Sequence, residues 1–314
     1  MKILLTGGTG LLGHGLLSSR PDQIHVTSLY QRPNEEHEKE ENLLQLDIRN
    51  KGEMETLFRI NHFDLVIHAA GIASVDYVKN NYAESLESNI VGTLNISSLC
   101  RRKNIPMIYI SSNAVFDGEK APYPEEAAPG PVNEYGEIKL ECENLIRRTL
   151  VQYLIVRPIL MYGWNRAGGR KNPVTWMLDE LRANKPIHMV NDVFENPIYN
   201  LDCAEAIWRL VQKGTLGTIH LAGPERVNRY ELACTVAEVF QLDKALITPV
   251  SSSHFRHLAK RPRDTSFDIR KSEKEISFRP RTLRQGLEDM QASAPWQNKG
   301  LGPQPRKKPL SPGN

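Results

Sequence analysis

Tyr135 and Lys139 lie four residues apart in the run Asn133-Glu-Tyr-Gly-Glu-Ile-Lys-Leu-Glu, a stretch that reads as helix. Four residues is about one helical turn, so the phenol and the ammonium project from one face. A fixed cation nearby favours the phenolate and lowers the tyrosine pKa, making the proton available nearer neutral pH. Such a phenol can act as a general acid, protonating a carbonyl oxygen while hydride reaches its carbon. Alone, the pair recurs on ordinary surface helices. What gives it meaning is a glycine-rich segment far upstream, Thr6-Gly7-Gly8-Thr9-Gly10-Leu11-Leu12-Gly13.

Gly7, Gly10 and Gly13 follow a short apolar run, Ile3–Leu5, and open an apolar helical stretch. Glycines so placed allow a tight turn, a close approach of backbone to pyrophosphate, and close packing of helix on strand. The helix N-terminus adds amide donors and the positive end of its dipole. The segment therefore reads as a dinucleotide site, with Thr9, Leu11 and Leu12 beside the glycines. An NAD site usually places an acid about 20 residues on, at the end of the second strand. Here that strand ends Leu29-Tyr30-Gln31-Arg32, and Arg32 suits a 2′-phosphate, so NADP is favoured over NAD. Glu35 and Glu36 close behind keep open the reading of Arg32 as a solvated surface charge. Asp47 and Ile48, after the third strand, are candidates for the adenine end, with helix capping the alternative for Asp47. Small residues at Ala69, Ala70 and Gly71 let backbone lie along the cofactor, whereas His68 reads as a packed core histidine.

The elements that must position these groups alternate. Ile3–Leu5, Ile24–Leu29, Leu43–Leu46, Leu65–Ala69, Met107–Ile110 and Tyr153–Val156 read as buried parallel strands. Helical stretches at Leu11–Ser19, Gly52–Asn61, Tyr82–Lys103 and Glu134–Val151 lie between them, so an α/β, doubly wound parallel sheet is expected. After Pro158 the pattern loosens: Gly163–Pro173 reads as loop and Val174–Ala183 as helix. Strands are expected at Ile187–Val190 and Thr218–Leu221, and helices at Asn228–Phe240 and Arg281–Met290. The expected division is a dinucleotide-binding (Rossmann) domain of 1–160 with about 198–222, and a smaller substrate-binding lid of about 161–197 and 223–292. Residues 293–314 form a basic Pro/Gly-rich stretch, expected to be disordered.

Bulk composition excludes several classes. The 314 residues are 40% hydrophobic and 25% charged, with a net charge of +3, as in an ordinary soluble globular protein. Lys299, Arg306, Lys307 and Lys308 near the end account for that excess, leaving no basic stripe for nucleic acid. The four cysteines (Cys100, Cys142, Cys203, Cys234) show no metal-ligand spacing and read as thiols in a reducing compartment. With no stretch long enough to span a membrane and no room for a signal peptide before Ile3, a cytosolic protein without a metal is expected.

Taken in order, the glycine triplet, His68-Ala-Ala-Gly71, Asn89, Ile110-Ser-Ser-Asn-Ala-Val-Phe-Asp-Gly118, Pro122-Tyr123-Pro-Glu125 and Pro131–Lys139 resemble the extended short-chain dehydrogenase/reductase family. Arg157-Pro158, Met161-Tyr-Gly163, Asn196-Pro-Ile198, Asp202-Cys-Ala204 and Arg261-Pro-Arg-Asp-Thr-Ser-Phe-Asp268 extend the likeness over about residues 1 to 290, nearest to its dTDP-4-dehydrorhamnose reductase branch. The resemblance implies that Ser112 bonds the substrate carbonyl, Tyr135 gives the proton, and Lys139 binds the nicotinamide ribose and lowers the tyrosine pKa. It adds Asn89, Ser111 and Pro158 to the cofactor site. It places Asn113, Asn172, Trp176, Asn196 and Arg261 about a nucleotide-sugar substrate, and leaves room for a homodimer. Two departures stand out: Ser112-Asn113-Ala114 replaces the Thr-Asp-Tyr common in these reductases, and Glu126-Ala127-Ala128 lacks an acid associated with a metal or dimer contact. Val227–Cys234 and the Arg-Pro-Arg-Asp block also resemble the regulatory β subunit of methionine adenosyltransferase, which keeps this fold and a bound NADP. The expected function is NADP-dependent reduction of a nucleotide-linked 4-keto-6-deoxysugar; a cofactor-holding regulatory subunit and a nucleotide-sugar epimerase are the alternatives.

Overall fold

Side chains on a strand alternate between faces, and in the first strand both faces are apolar: Ile3 and Leu5 join one buried cluster and Leu4 another. Such a strand belongs in the middle of a sheet covered on both sides. The computed structural model, which describes residues 1–31, 43–255 and 258–295, places it there. The chain opens with β1 (Lys2–Thr6), α1 (Leu11–Ser18), β2 (His25–Tyr30), β3 (Leu43–Gln45), α2 (Lys51–Ile60) and β4 (Leu65–His68). It continues through α3 (Val75–Asn80), α4 (Tyr82–Leu86), a π turn at Glu87–Val91, α5 (Gly92–Lys103), β5 (Met107–Ile110), α6 (Glu134–Thr149) and β6 (Tyr153–Pro158). The second half holds β7 (Met161–Tyr162), α7 (Pro173–Arg182), β8 (Ile187–Val190), β9 (Phe194–Glu195), β10 (Ile198–Tyr199), α8 (Asn200–Lys213) and β11 (Gly217–Leu221). It ends with β12 (Val227–Asn228), α9 (Arg229–Val239), β13 (Ile247–Val250), α10 (Arg270–Ile276) and α11 (Leu283–Ala292).

Seven parallel strands form the main sheet in the order β11-β6-β5-β4-β1-β2-β3. The order reverses between β1 and β4, and in such sheets ligands bind beyond the carboxyl ends of the strands at that point. Thr6, at the end of β1, lies level with Leu29 of β2 and His68 of β4. One face is covered by α1 and α8, through Leu16, Ile207 and Trp208. The other is covered by α2, α5 and α6, through Met54, Ile96 and Ile138. A third core gathers Met177 and Leu178 of α7, Leu232 and Val236 of α9, and Leu287 of α11. Beside it are three two-stranded pairings: β8 with β13, β7 with β10, and β9 with β12.

The six strands expected in the first half are present, and the Thr218–Leu221 run joins the sheet beside β6. The single helix expected over Tyr82–Lys103 is instead α4, the π turn and α5. α8 and α10 were not anticipated as helices. Residues 293–295 are described and Ala294 is fully buried, so the chain stays packed slightly past the expected start of the tail; residues 296–314 lie outside the described residues. Among the described residues no helix is long and apolar enough to cross a membrane.

Candidate active site

The turn between β1 and α1 is made of backbone. Gly7 has φ +75°, and a Cβ there would stand 2.7 Å from the Ala70 amide nitrogen. At Gly13 a Cβ would meet the Gly7 carbonyl oxygen at 2.3 Å, so only glycine lets α1 come this close to the turn. Gly10 is the N-cap and offers no side-chain cap, and the first turn carries no acid. By contrast, α2 is capped by Asn50, α6 by Asn133 and α7 by Asn172. A helix start without a side-chain cap and with no acid in its first turn fits a dinucleotide's pyrophosphate. Thr9 and Leu11 are half-buried at this turn, Gly10 is exposed, and Leu12 faces the core.

Asp47 stands at the far end of the sheet, receiving the Gln31 amide at 2.9 Å and pairing with Arg49 at 2.6 Å. Hydrogen bonds from Arg49 hold its carboxyl below the usual aspartate value, although burial opposes this. Capping, the alternative role for Asp47, falls to Asn50, which accepts from the Glu53 amide. Ile48 is buried against Gly92. Arg32, with Glu35 and Glu36, lies outside the described residues. Gly71, with φ +148°, faces the Asn89 side chain, which bonds the Ile72 amide at 3.0 Å and the Ile72 carbonyl at 3.3 Å. Asn89, expected among the cofactor contacts, thus has its amide committed to holding the Ala69–Ile72 loop. His68 is a core residue: its ring nitrogens meet the Thr6 and Thr93 hydroxyls at 2.7 and 3.0 Å, and burial pushes its pKa down to about 3.

α6 begins at the Asn133 cap and carries Tyr135 and Lys139 against the end of β5. Tyr135 is 7% exposed, with the Ser112 hydroxyl among the groups acting on its phenol. Ser112 caps the short turn Asn113–Val115, accepting from the Ala114 amide at 3.1 Å and donating to Asn113 Oδ1 at 3.2 Å. Lys139 donates to the Ile110 carbonyl at 2.8 Å and to the Tyr109 hydroxyl at 3.3 Å. The expected lowering of the Tyr135 pKa is corrected here. Burial pushes the phenol up to about 12, while the Ser112 side chain and the Arg170 guanidinium pull the other way. Lys139's own pKa is lowered by burial. The ammonium is docked on a strand carbonyl, and buried surroundings disfavour the phenolate more than distant charge favours it.

Three expected contacts are differently employed. The Ser111 hydroxyl turns to Glu143 at 2.6 Å. Asn172 spends its side chain on capping α7 and on the Gly163 carbonyl at 2.7 Å. Asn196 clamps the backbone of Phe267, accepting from its amide and donating to its carbonyl, each at 3.0 Å. Arg261 pairs with Asp76 of α3 at 2.6 Å, tying the Leu258–Arg261 segment across to that helix. Asn113 donates to the Thr265 hydroxyl at 2.6 Å and to Glu195 at 3.2 Å, and Glu195 faces Arg229 at 2.8 Å. Trp176 is 39% exposed on α7, and Pro158 is buried at the end of β6, paired with Leu221. Glu195 and Glu143 were missed from the sequence; their partners are remote along the chain, so no local spacing marks them.

A doubly wound parallel sheet with a glycine turn at its first strand, and serine, tyrosine and lysine gathered at the fifth, defines an extended short-chain dehydrogenase/reductase. A model of the RmlD substrate binding domain matches residues 1–294, and the chain belongs to that family. The β subunit of methionine adenosyltransferase 2 from Pongo abelii is 28% identical over 280 residues, 87% of this chain and 81% of that protein. The probable low-salt glycan biosynthesis reductase Agl14 of Haloferax volcanii is 28% identical over 299 residues, 93% of this chain and 98% of its own length. Among solved structures, the dTDP-4-dehydrorhamnose reductase of Bacillus anthracis, in complex with NADP, superposes with a TM-score of 0.83. Its sequence is 23% identical, and the match covers 93% of this chain and 99% of that one.

Proposed function

We propose that the protein is an NADP-dependent reductase of a nucleotide-linked 4-keto-6-deoxysugar, with Tyr135 as the general acid. The observation that carries this reading is the start of α6, with Tyr135 and Lys139, set against the end of β5 and the Ser112–Ala114 turn, near where the strand order reverses. A bound nicotinamide would supply hydride to the keto carbon. Ser112 and Tyr135 hydrogen-bond the carbonyl oxygen. A phenol held near 12 stays protonated at neutral pH, yet it is a far stronger acid than the alcohol forming, so the proton transfer is favourable. Lys139 binds the ribose; Pro158 walls the nicotinamide.

The Gly7–Gly13 turn takes the pyrophosphate, Ala69–Gly71 lies along it, Asp47 and Ile48 flank the adenine, and Arg32 meets the 2′-phosphate, which selects NADP over NAD. The fold's likeness to a reductase solved with NADP supports that choice. Asn113, Trp176 and Arg261 face the sugar nucleotide, Arg261 by exchanging Asp76 for the diphosphate; Asn172 and Asn196 shape the loops around it. In this reading residues 1–160 and about 198–222 hold the cofactor, while about 161–197 and 223–292 cover the substrate. The free thiols of Cys100, Cys142 and Cys203, all buried, suit a cytosolic setting.

The test supplies NADPH with dTDP- and UDP-linked 4-keto-6-deoxysugars and follows loss of the reduced-nicotinamide absorbance, with product analysis separating reduction from epimerisation. A second reading, a regulatory subunit that holds NADP for a partner enzyme, is favoured by the 28% identity to the methionine adenosyltransferase β subunit. A stable hetero-complex on purification, with no oxidation of NADPH by any of these sugars, would select it.

A further inference from the structure

Glu143 is buried without exposed surface on α6, one helical turn beyond Lys139 and two beyond Tyr135. Its carboxylate accepts four hydrogen bonds: from the Ser111 hydroxyl at 2.6 Å, Arg157 Nε at 2.8 Å, Arg157 Nη2 at 2.7 Å and Arg147 Nη2 at 2.9 Å. Burial would raise this carboxyl, but Arg157, helped by Ser111 and Arg147, holds it below the ordinary glutamate value. Arg157, 2% exposed, also reaches the His220 ring at 3.3 Å. The donors are not arbitrary. Ser111 precedes Ser112 at the end of β5, Arg157 precedes Pro158 at the end of β6, and the acceptor rides on the helix of Tyr135 and Lys139. A buried ion pair is weak as a stability device, since well-packed apolar residues would serve as well.

The same carboxylate matters to Lys139. The groups facing that ammonium are the Tyr109 hydroxyl and Ile110 carbonyl of β5, His68 of β4, and Cys142 and Glu143 of α6. Burial holds His68 neutral and raises the Cys142 thiol, leaving Glu143 as the formal negative charge among them. We propose that Glu143 is a positioning residue for the reaction: it pins the Ser111–Ser112 end of β5 to α6 and keeps the buried Lys139 charged. This rests on the reductase reading. Removing the charge while keeping the shape takes away the carboxylate that favours the Lys139 ammonium, so it releases its proton at lower pH.

The experiment compares wild type with Glu143→Gln, Glu143→Asp and Ser111→Ala. Arg148→Ala, which removes an exposed pair with Glu141 on the same helix, serves as the control. Melting temperature, the NADPH dissociation constant against pH, and kcat and KM against pH are measured. Glu143→Gln is expected to lower kcat by about tenfold or more with little change in KM, and to move the alkaline limb of both profiles down by about one pH unit. Glu143→Asp keeps the charge and the wild-type limb, recovering part of kcat. Ser111→Ala lowers kcat without moving the limb. A Glu143→Gln protein that melts earlier yet keeps the wild-type kcat and limb overturns the proposal. Should that variant fail to fold, a displaced limb in Glu143→Asp together with wild-type kcat in Ser111→Ala overturns it, and a wild-type limb with lowered kcat supports it. Should the wild type turn over no sugar, the reductase reading fails on its own. The pH dependence of NADPH binding then decides whether Glu143 holds the charge on Lys139.

Discussion

The two ends of the candidate site are built by opposite means. At α1 the chain uses backbone: three glycines, an uncapped helix start and no charged side chain in its first turn. Beneath α6 it uses side chains, with Glu143, Arg157 and Lys139 buried and bonded to strand ends. A backbone cradle is fixed by local sterics and waits for a ligand's charge. A side-chain floor carries its own charges, already satisfied, and can place a hydroxyl and a phenol more tightly than a loop could.

That contrast can be broken by substitution. The largest effect is expected at the floor, where Arg157→Met removes one partner of a fully buried pair. Chemical denaturation should show a loss of roughly 3–5 kcal/mol, because the Glu143 carboxylate is left without its main donors; a loss within experimental error would mean the floor is not held by charge. Acidification comes next. His68 and His220 are both held to about 3 by burial, below the unfolded value near 6.5. Their contribution is therefore complete above about pH 6.5 and is lost as pH falls toward 3. The expected slope is at most about 1.4 kcal/mol per pH unit for each histidine, read from melts of wild type, His68→Gln and His220→Gln. Replacing either histidine should flatten the acid side of the curve.

The cradle should respond less in stability and more in binding. Gly13→Ala forces a methyl group against the Gly7 carbonyl, for a loss of about 1–3 kcal/mol and a large drop in NADPH affinity by titration. The smallest effect has the opposite sign. A Cβ on Gly52, in the exposed first turn of α2, would meet Asn50 at no closer than 3.7 Å. Gly52→Ala should gain roughly 0.5–1 kcal/mol and leave NADPH binding unchanged. If Gly13→Ala behaves as Gly52→Ala does, the turn is not a cradle.

The same contrast explains what the sequence made legible. The cradle's requirements are consecutive in the chain, so glycine spacing reveals them. Strands β1, β4, β5 and β6 are covered on both faces and appear as apolar runs. The floor depends on contacts such as Ser111 to Glu143, 32 residues apart, and Arg157 to Glu143, 14 apart, which no local pattern marks. α8 escaped notice because part of its contact surface is small. It approaches α1 so closely that a Cβ on Gly15 would stand 2.9 Å from the Asn200 carbonyl oxygen, and Ala204 and Ala206 replace a stripe of large residues. The π turn at Glu87–Val91 shifts hydrogen bonds without altering composition. Asparagine misled at Asn172 and Asn196 because one amide can serve a ligand or a backbone, and here both serve backbone. Arg261 meets its acid 185 residues away.

The central claim is that the phenol of Tyr135 gives a proton beside a nicotinamide held by the cradle. NADPH titration followed by turnover with a dTDP-linked 4-keto-6-deoxysugar, in wild type and Tyr135→Phe, tests it most directly. Both proteins should bind NADPH with nearly equal affinity, and the variant should lose turnover by about 10²–10⁴-fold. Equal rates of NADPH oxidation in the two proteins would contradict it.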